Sequence, residues 1–118
     1  MQNDNGYIQR LKERLSELDP YLVILFGSHA DGTSHENSDI DLLVVTNDEF
    51  TPKDYEERLK VQLSISSHIF EIAKQVPIDL IVYTIPMYKR FVGQNSNFAR
   101  EIATKGKILY ERHNVTVA

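Results

Sequence analysis

Two aspartates near the middle of the sequence, Asp39 and Asp41, are spaced so that they could act at one site. Alternate residues of a β-strand point to the same face, about 6.6 Å apart along the chain, so both carboxylates can reach a common point. Facing carboxylates repel each other unless a divalent cation lies between them, and such hard oxygen ligands favour Mg²⁺, with Mn²⁺ as an alternative. Both acids could instead serve a turn, although Asn37 and Ser38 already supply turn residues.

Two small residues before this segment, Gly27 and Ser28, indicate a phosphate site. Gly27 follows an apolar run and permits a tight turn. Ser28 and the backbone N–H groups after it can then bind phosphate oxygens at the start of a short helix. A strand-to-helix turn with Ser28 as N-cap is an alternative that is compatible with the same role. Metal and phosphate would thus bind side by side.

A third acid, Asp79, is the second residue of an apolar segment, Ile78 to Tyr83. The alternation along this segment predicts a strand with Asp79 near its start. An acid thus again lies near the start of an otherwise apolar strand, as Asp39 and Asp41 do in the earlier one. The alternative is that Pro77 and Asp79 form an ordinary strand entry.

Length and composition limit the function classes. The chain of 118 residues is predicted to form one domain, 1–118 with its core at about 7–111, too small to add a separate recognition domain. The absence of cysteine excludes disulfides and thiolate chemistry. A net charge of −4 disfavours direct binding of nucleic acid. No apolar run approaches the ~20 residues that span a bilayer, so we expect a cytoplasmic protein that does not bind a membrane.

The apolar periodicity predicts alternating helices and strands. Four strands, the last one short, are predicted at 21–26, 39–46, 78–83 and 107–111. Helical segments are predicted at about 8–18, 51–76, 84–91 and 98–105, and a polar loop or single helical turn at 31–38.

The long helix has its own start signal and apolar stripe. Thr51 is predicted as the N-cap, Pro52 as the first helical residue and Asp54 as the acid of a capping box. The core-facing stripe is predicted to comprise Leu59, Leu63, Ile69, Ile72 and Val76. The middle of this segment, 64–68, is a weak helix former.

The arrangement Gly27-Ser28, ten intervening residues, then Asp39-x-Asp41 resembles the signature of the nucleotidyltransferase superfamily related to DNA polymerase beta. The wider spelling LFGSHADG…SDIDLLVV and the ending KGKILYE are similar to the minimal nucleotidyltransferases, the MNT group. The resemblance covers about 11–111. It implies an α/β (α+β) nucleotidyltransferase fold, a mixed sheet of three or four strands with helices largely on one face.

The resemblance also implies roles for the candidate residues. Asp39, Asp41 and Asp79 would be catalytic and would bind two Mg²⁺ ions about 3.5 to 4 Å apart. Asp79 would in addition accept the proton of the acceptor hydroxyl. Gly27 and Ser28 would hold the β- and γ-phosphates of ATP. The implied reaction transfers AMP from ATP to a hydroxyl and releases pyrophosphate.

Short members of the MNT group are commonly antitoxins paired with a HEPN-domain ribonuclease toxin, and some silence it by transferring AMP to a tyrosine. Because 118 residues leave little room for an acceptor-binding domain, we expect a partner protein of this kind to bring the acceptor. One alternative is a non-catalytic antitoxin that neutralises the toxin by binding. Another is a nucleotidyltransferase for a small molecule such as an aminoglycoside. Self-association could supply a missing surface in either case.

Two residues beside the glycine turn bear on nucleotide binding. Asp31 precedes Gly32, where related sequences often have a basic residue, and an acid that faced a triphosphate would weaken its binding. Either the affinity is low, which favours the non-catalytic alternative, or the loop turns Asp31 to solvent. His29 is the one histidine close enough in sequence to Ser28 to touch a nucleotide, and the four histidines show no zinc spacing.

Overall fold

The structure is a computed structural model that describes residues 4–34 and 38–112, so the predicted loop residues 35–37 and the tail from 113 lie outside it. Its elements are α1 (Asp4–Ser16), β1 (Leu22–Phe26), α2 (Ser28–Asp31), β2 (Ile40–Val45), α3 (Tyr55–Ser66), a 3₁₀ turn (Ser67–Ile69), α4 (Phe70–Ala73), β3 (Ile78–Tyr83), α5 (Ile85–Gln94), α6 (Asn97–Lys105) and β4 (Lys107–Glu111). All four predicted strands are confirmed to within one residue at each end. None of the described helices combines the length and apolar character needed to cross a bilayer.

The strands form one mixed sheet in the order β3-β2-β1-β4. β1 is antiparallel to both of its neighbours, whereas β2 and β3 are parallel. Parallel neighbours need a crossover connection, which α3, the 3₁₀ turn and α4 supply. The predicted mixed sheet of three or four strands is therefore confirmed.

Helices cover both faces of this sheet, so the predicted placement of the helices largely on one face is wrong. On the first face α1, α3 and α4 pack against alternate strand residues, and this core includes Leu11, Leu15, Val23, Leu25, Leu42, Val44, Val61, Ile65, Ile72 and Val82. On the opposite face α5 and α6 pack against Leu22, Ile24, Phe26, Leu43 and Val45. Coverage of both faces explains why β1 and most of β2 are continuous apolar runs.

The predicted start of the long helix is wrong. Asp54, not Thr51, is the N-cap, and its side chain accepts a hydrogen bond from the Glu57 N–H at 2.9 Å. Glu57 in turn accepts from the Lys53 N–H at 2.9 Å. Asp54 thus satisfies an N–H group of the first turn, and Glu57 adds a bond to the residue before the cap, so this pair outcompetes the signal of Thr51 and Pro52.

The predicted stripe of this helix is wrong in its first half. Val61 and Ile65 face the core, whereas Leu59 and Leu63 are 40% and 51% exposed. The 3₁₀ turn falls in the segment that the sequence marks as a weak helix former. The buried residues Val61, Ile65, Ile69 and Ile72 follow one another at spacings of four, four and three, so one helical face continues through the 3₁₀ turn. The predicted stripe is wrong because the six residues from Leu63 to Ile69 do not fit the helical period.

We expect Gly106→Ala to destabilise the protein. The added Cβ would lie 2.5 Å from the Ile102 carbonyl oxygen and 2.7 Å from Ile24 Cγ2. Overpacking of this kind costs about 1–3 kcal/mol, which urea unfolding will detect. Gly93→Ala is the matched control, since it lies in α5 and none of residues 4–34 and 38–112 comes within 4 Å of its Cβ. It should stabilise the protein by about 0.5–1 kcal/mol. Equal unfolding midpoints for the two variants would contradict the packing of α6 on β1.

Candidate active site

The candidate site residues lie at one edge of the sheet, where β1 ends and β2 and β3 begin. Because β1 is antiparallel to β2, its last residue, Phe26, pairs with Asp41. Asp41 in turn pairs with Asp79 across the parallel β2–β3 ladder. The turn at Gly27 follows Phe26 directly. The topology thus brings the glycine turn and the acids of two strands to one place.

Asp41 and Asp79 occupy equivalent positions on neighbouring strands. Their Cα atoms are paired in register, at the strand spacing of about 4.8 Å, so both side chains leave the sheet on the same face. This face is the one that α5 and α6 cover further along the strands. Asp39 lies just before β2, two residues from Asp41. Asp41 is half-buried, whereas Asp39 and Asp79 are exposed.

The electrostatics of the three acids show that they interact. Burial raises the pKa of Asp41, the negative charges of Asp79 and Asp39 raise it further, and His29 opposes the shift. Among the residues that the structure describes, no three His, Asp or Glu side chains form a ready-made metal cluster. The donor set nevertheless fits Mg²⁺, because it consists of hard carboxylate oxygens and the exposed Asp39 and Asp79 can rotate about their side-chain bonds.

Gly27 fits the turn through both its backbone angles and the space around it. Its φ of 74° lies in the left-handed region, and a Cβ there would stand 2.1 Å from Asp41 Oδ2. The backbone of the turn therefore lies directly against the Asp41 carboxylate. Gly27 is also the N-cap of α2, so the alternative that Ser28 caps this helix is wrong. Ser28 is instead the first helical residue, directly after the glycine that lies against Asp41.

His29 and Asp31 have different surroundings in the turn. His29 Nε2 lies 3.2 Å from the Ser38 carbonyl oxygen, which links α2 to the segment before Asp39. The Asp31 carboxylate accepts hydrogen bonds from the Thr33 hydroxyl at 2.6 Å and the Thr33 N–H at 3.0 Å, and these bonds lower its pKa. Asp31 is exposed. Of the two outcomes that the sequence left open for Asp31, the structure shows the turn to solvent.

One aromatic residue at this edge was not singled out by the sequence. The ring of Phe98, in the first turn of α6, lies 5.5 Å from the ring of Phe26, the strand partner of Asp41. The signal for it is weak, since it is a lone aromatic after a serine N-cap. A groove of about 580 Å³, lined by Asp48, Phe50 and other residues, lies at the opposite end of β2 and does not belong to this site.

We expect Gly27→Ala to destabilise the protein more than Gly32→Ala. Gly32 is left-handed (φ 84°, ψ 8°), where alanine costs about 1–2 kcal/mol, whereas Gly27 (φ 74°, ψ −156°) has a conformation almost restricted to glycine that costs alanine about 1–3 kcal/mol. At Gly27 the new methyl group would also meet the Asp41 carboxylate, whereas no described residue lies within 4 Å of a Cβ at Gly32. The difference between the two unfolding free energies, measured in urea, reports the displacement of Asp41 together with the greater backbone strain. Equal losses would contradict the close approach.

We expect Asp41→Asn to raise the melting temperature of the metal-free protein at pH 7. The pKa of Asp41 is higher in the folded state than in the unfolded state, so folding penalises its ionised form. The penalty is absent below the unfolded pKa, develops as the pH rises through the folded pKa, and persists at neutral pH. The gain in melting temperature of Asp41→Asn should therefore shrink as the pH falls below the pKa of a carboxyl group in the unfolded chain.

Thermal melts with EDTA from pH 3 to pH 7 would test this expectation. Asp54→Asn is the matched control, because it makes the same chemical change at an exposed N-cap that asparagine also serves. A melting temperature of Asp41→Asn that stays at or below that of the original protein at pH 7 would show that repulsion among the acids is negligible.

Comparison with known proteins agrees with this geometry. The family profile described as a nucleotidyltransferase domain matches residues 8–110. The protein adenylyltransferase MntA of Shewanella oneidensis is 44% identical over 46 residues, which are 39% of this chain and 32% of MntA. A protein of Methanocaldococcus jannaschii, named provisionally as a protein adenylyltransferase, is 31% identical over 108 residues, 92% of this chain and 69% of that protein.

Solved structures extend the similarity to the fold. A protein of Sulfolobus solfataricus, described provisionally as a nucleotidyltransferase, superposes with a TM-score of 0.58 over 96% of this chain and 87% of that one; at 19% identity this likeness concerns the fold alone. A toxin–antitoxin crystal structure with AMP-PNP has a chain with a TM-score of 0.50 and 27% identity, over 92% of this chain and 74% of that chain. The predicted fold class is thus confirmed. Because the profile spans nearly the whole sequence, the chain belongs to the nucleotidyltransferase domain family, as its glycine turn and acids indicated.

Proposed function

We propose that this chain is an Mg²⁺-dependent protein adenylyltransferase that acts as an antitoxin. It would transfer AMP from ATP to a tyrosine of a partner HEPN-domain ribonuclease toxin. The observation that carries the proposal is the edge of the sheet where Asp41 stands between two further acids and against the backbone of Gly27. The similarity to MntA and to a toxin–antitoxin structure with AMP-PNP supports the choice of reaction and partner.

The three acids are the proposed metal ligands. Burial and two like charges raise the pKa of Asp41, and a divalent cation beside Asp39, Asp41 and Asp79 would remove that cost. When bound, Mg²⁺ would neutralise the negative charge that develops on the phosphate oxygens during transfer. Mn²⁺ has the same preference for oxygen ligands and is expected to substitute.

The glycine turn is the proposed phosphate site. Gly27 turns the chain into α2, which begins at Ser28. The Ser28 hydroxyl and the backbone N–H groups at this helix start would donate to phosphate oxygens. Because the Gly27 backbone touches Asp41, the β- and γ-phosphates would lie beside the acids, with the α-phosphorus nearest to the carboxylates.

The transfer step needs a hydroxyl and a place for its proton. The tyrosine oxygen would bond to the α-phosphorus while the bond from this phosphorus to the departing pyrophosphate breaks. Asp79 would accept the phenolic proton. β3 is the border strand of the sheet and Asp79 is exposed, so a tyrosine carried by another protein can approach it.

Two alternatives remain as rivals of this proposal. A non-catalytic antitoxin drew its support from Asp31, but the exposed Asp31 carboxylate is held by Thr33 rather than turned towards Gly27. A small-molecule nucleotidyltransferase would need this chain to hold a small acceptor itself. The assay below distinguishes both from protein adenylylation.

We expect this chain to add AMP to its cognate HEPN-domain toxin when ATP and Mg²⁺ are present. Intact-mass and peptide mass spectrometry should show one AMP on a tyrosine of that protein, and EDTA should prevent the addition. Asp39→Asn with Asp41→Asn should abolish the reaction, and Asp79→Asn should slow it by about 10²–10⁴-fold if Asp79 is the base. Asp54→Asn should keep the original rate, because Asp54 caps α3 at the other end of the sheet.

The same variants separate chemistry from binding. If the double variant binds the HEPN-domain protein and protects cells as well as the original chain does, the non-catalytic alternative is correct. An unmodified partner, with both proteins shown to be folded and associated, would refute adenylylation of this partner.

A further inference from the structure

We propose that Phe98 is the platform on which the base of the bound nucleotide stacks. This inference rests on the proposed function and deepens it, because it states what distinguishes a nucleotide from a plain polyphosphate at this site. Three properties of Phe98 support the inference: the position of its ring, its exposure and the rigidity of the turn that carries it.

The first step is position. Phe98 lies 5.5 Å, centroid to centroid, from Phe26, and Phe26 is paired with Asp41 across the β1–β2 ladder. Paired residues of antiparallel strands have Cβ atoms about 4.5–5.5 Å apart and point to the same face. Phe98 therefore stands one side chain away from the central acid, on the face of the sheet where Asp79 also emerges. A nucleotide with its phosphates at the acids would have its base within reach of this ring.

The second step is exposure. The Phe98 side chain is 39% exposed although it contacts two other rings, Phe26 and Phe91. The interplanar angles are 76° with Phe26 and 71° with Phe91, so neither neighbour lies parallel to the Phe98 ring. These contacts hold the ring without a parallel stack. A flat nucleobase is the partner that such a ring lacks.

The third step is rigidity. The turn between α5 and α6 is fixed by Ser96, which caps α6 by accepting from the Ala99 N–H at 3.1 Å. Arg100 Nη1 donates to the Asn95 carbonyl oxygen at 2.7 Å, and its other terminal nitrogen donates to Asn97. Phe98 is thus held between residues that are tied to each other. A preorganised ring loses little conformational entropy on binding.

Exposure alone would not single out Phe98. Phe70 is more exposed, at 57%, but it lies on α4, and the Lys74 ammonium group stands 5.3 Å from its ring. α4 belongs to the helices on the first face of the sheet, whereas Phe98 shares the face of the acids. Phe70 is therefore a matched control of the same residue type.

The test compares ATP with inorganic tripolyphosphate, which lacks the base and the ribose. Isothermal titration calorimetry with Mg²⁺ and no acceptor protein would give both dissociation constants. Phe98→Ala should weaken ATP binding by roughly 5- to 150-fold, the range for one base on one aromatic side chain, and leave tripolyphosphate binding unchanged. Phe98→Tyr keeps the ring and should keep the ATP affinity. Phe70→Ala should change neither ligand.

Phe98→Leu guards against loss of folding in the alanine variant. Leucine keeps apolar contact with Phe26 and Phe91 but has no aromatic face, so it should lose ATP affinity while its thermal melt stays cooperative. The inference is overturned if Phe98→Leu and Phe98→Ala bind ATP as tightly as the original, or if they lose both ligands equally. If the original chain binds neither ligand, the proposed function falls and this inference falls with it. If the original chain binds ATP and the Phe98 variants bind it equally well, this inference is overturned and the proposed function still stands.

Discussion

The antiparallel pairing of β1 with β2 is the constraint on which the rest of the structure depends. It places the end of β1 next to the start of β2, so the turn at Gly27 comes against the carboxylate of Asp41. A side chain at position 27 would occupy the space of a carboxylate oxygen, and the left-handed backbone would strain it in any case. The parallel β2–β3 ladder then adds Asp79 beside Asp41. Backbone pairing, rather than contacts between side chains, assembles the three parts of the site.

The sheet could be predicted from the sequence because its signals are local. β1 and β2 are short apolar runs bounded by turn residues, and all four strands lie within one residue of their predicted bounds. The long helix was harder for two reasons. Both Thr51 and Asp54 can serve as its N-cap, and only the hydrogen bond to Glu57 decides between them. α3 also carries two apolar pairs, Leu59 with Leu63 and Val61 with Ile65. The helical period counted back from Ile69 selects the second pair, whereas the choice of the two leucines selected the first.

The candidate site, like the fold, was predicted only in part from the sequence. The positions of the acids and the glycine could be predicted from their spacing, because the pairing of β1, β2 and β3 brings them to one edge of the sheet. The position of Phe98 could not be predicted. It lies 57 residues after Asp41, and its nearness to that residue depends on how α6 packs on β1. The direction of the Asp31 side chain was likewise left open. The Asp31 carboxylate accepts from the N–H and the hydroxyl of Thr33, two residues later, an Asx-turn pattern that the residue types permit without requiring it.

The strand order has a consequence for how firmly the parts of the site are held. Asp41 lies on an interior strand with neighbours on both sides, whereas Asp79 lies on the border strand β3. Border strands take part in local opening more readily than interior ones, since fewer backbone hydrogen bonds must break. A cation bound by both acids would therefore link an interior strand to the border strand β3. Metal binding would then reduce the local opening of the whole of β3, and not only of the residues that contact the ion.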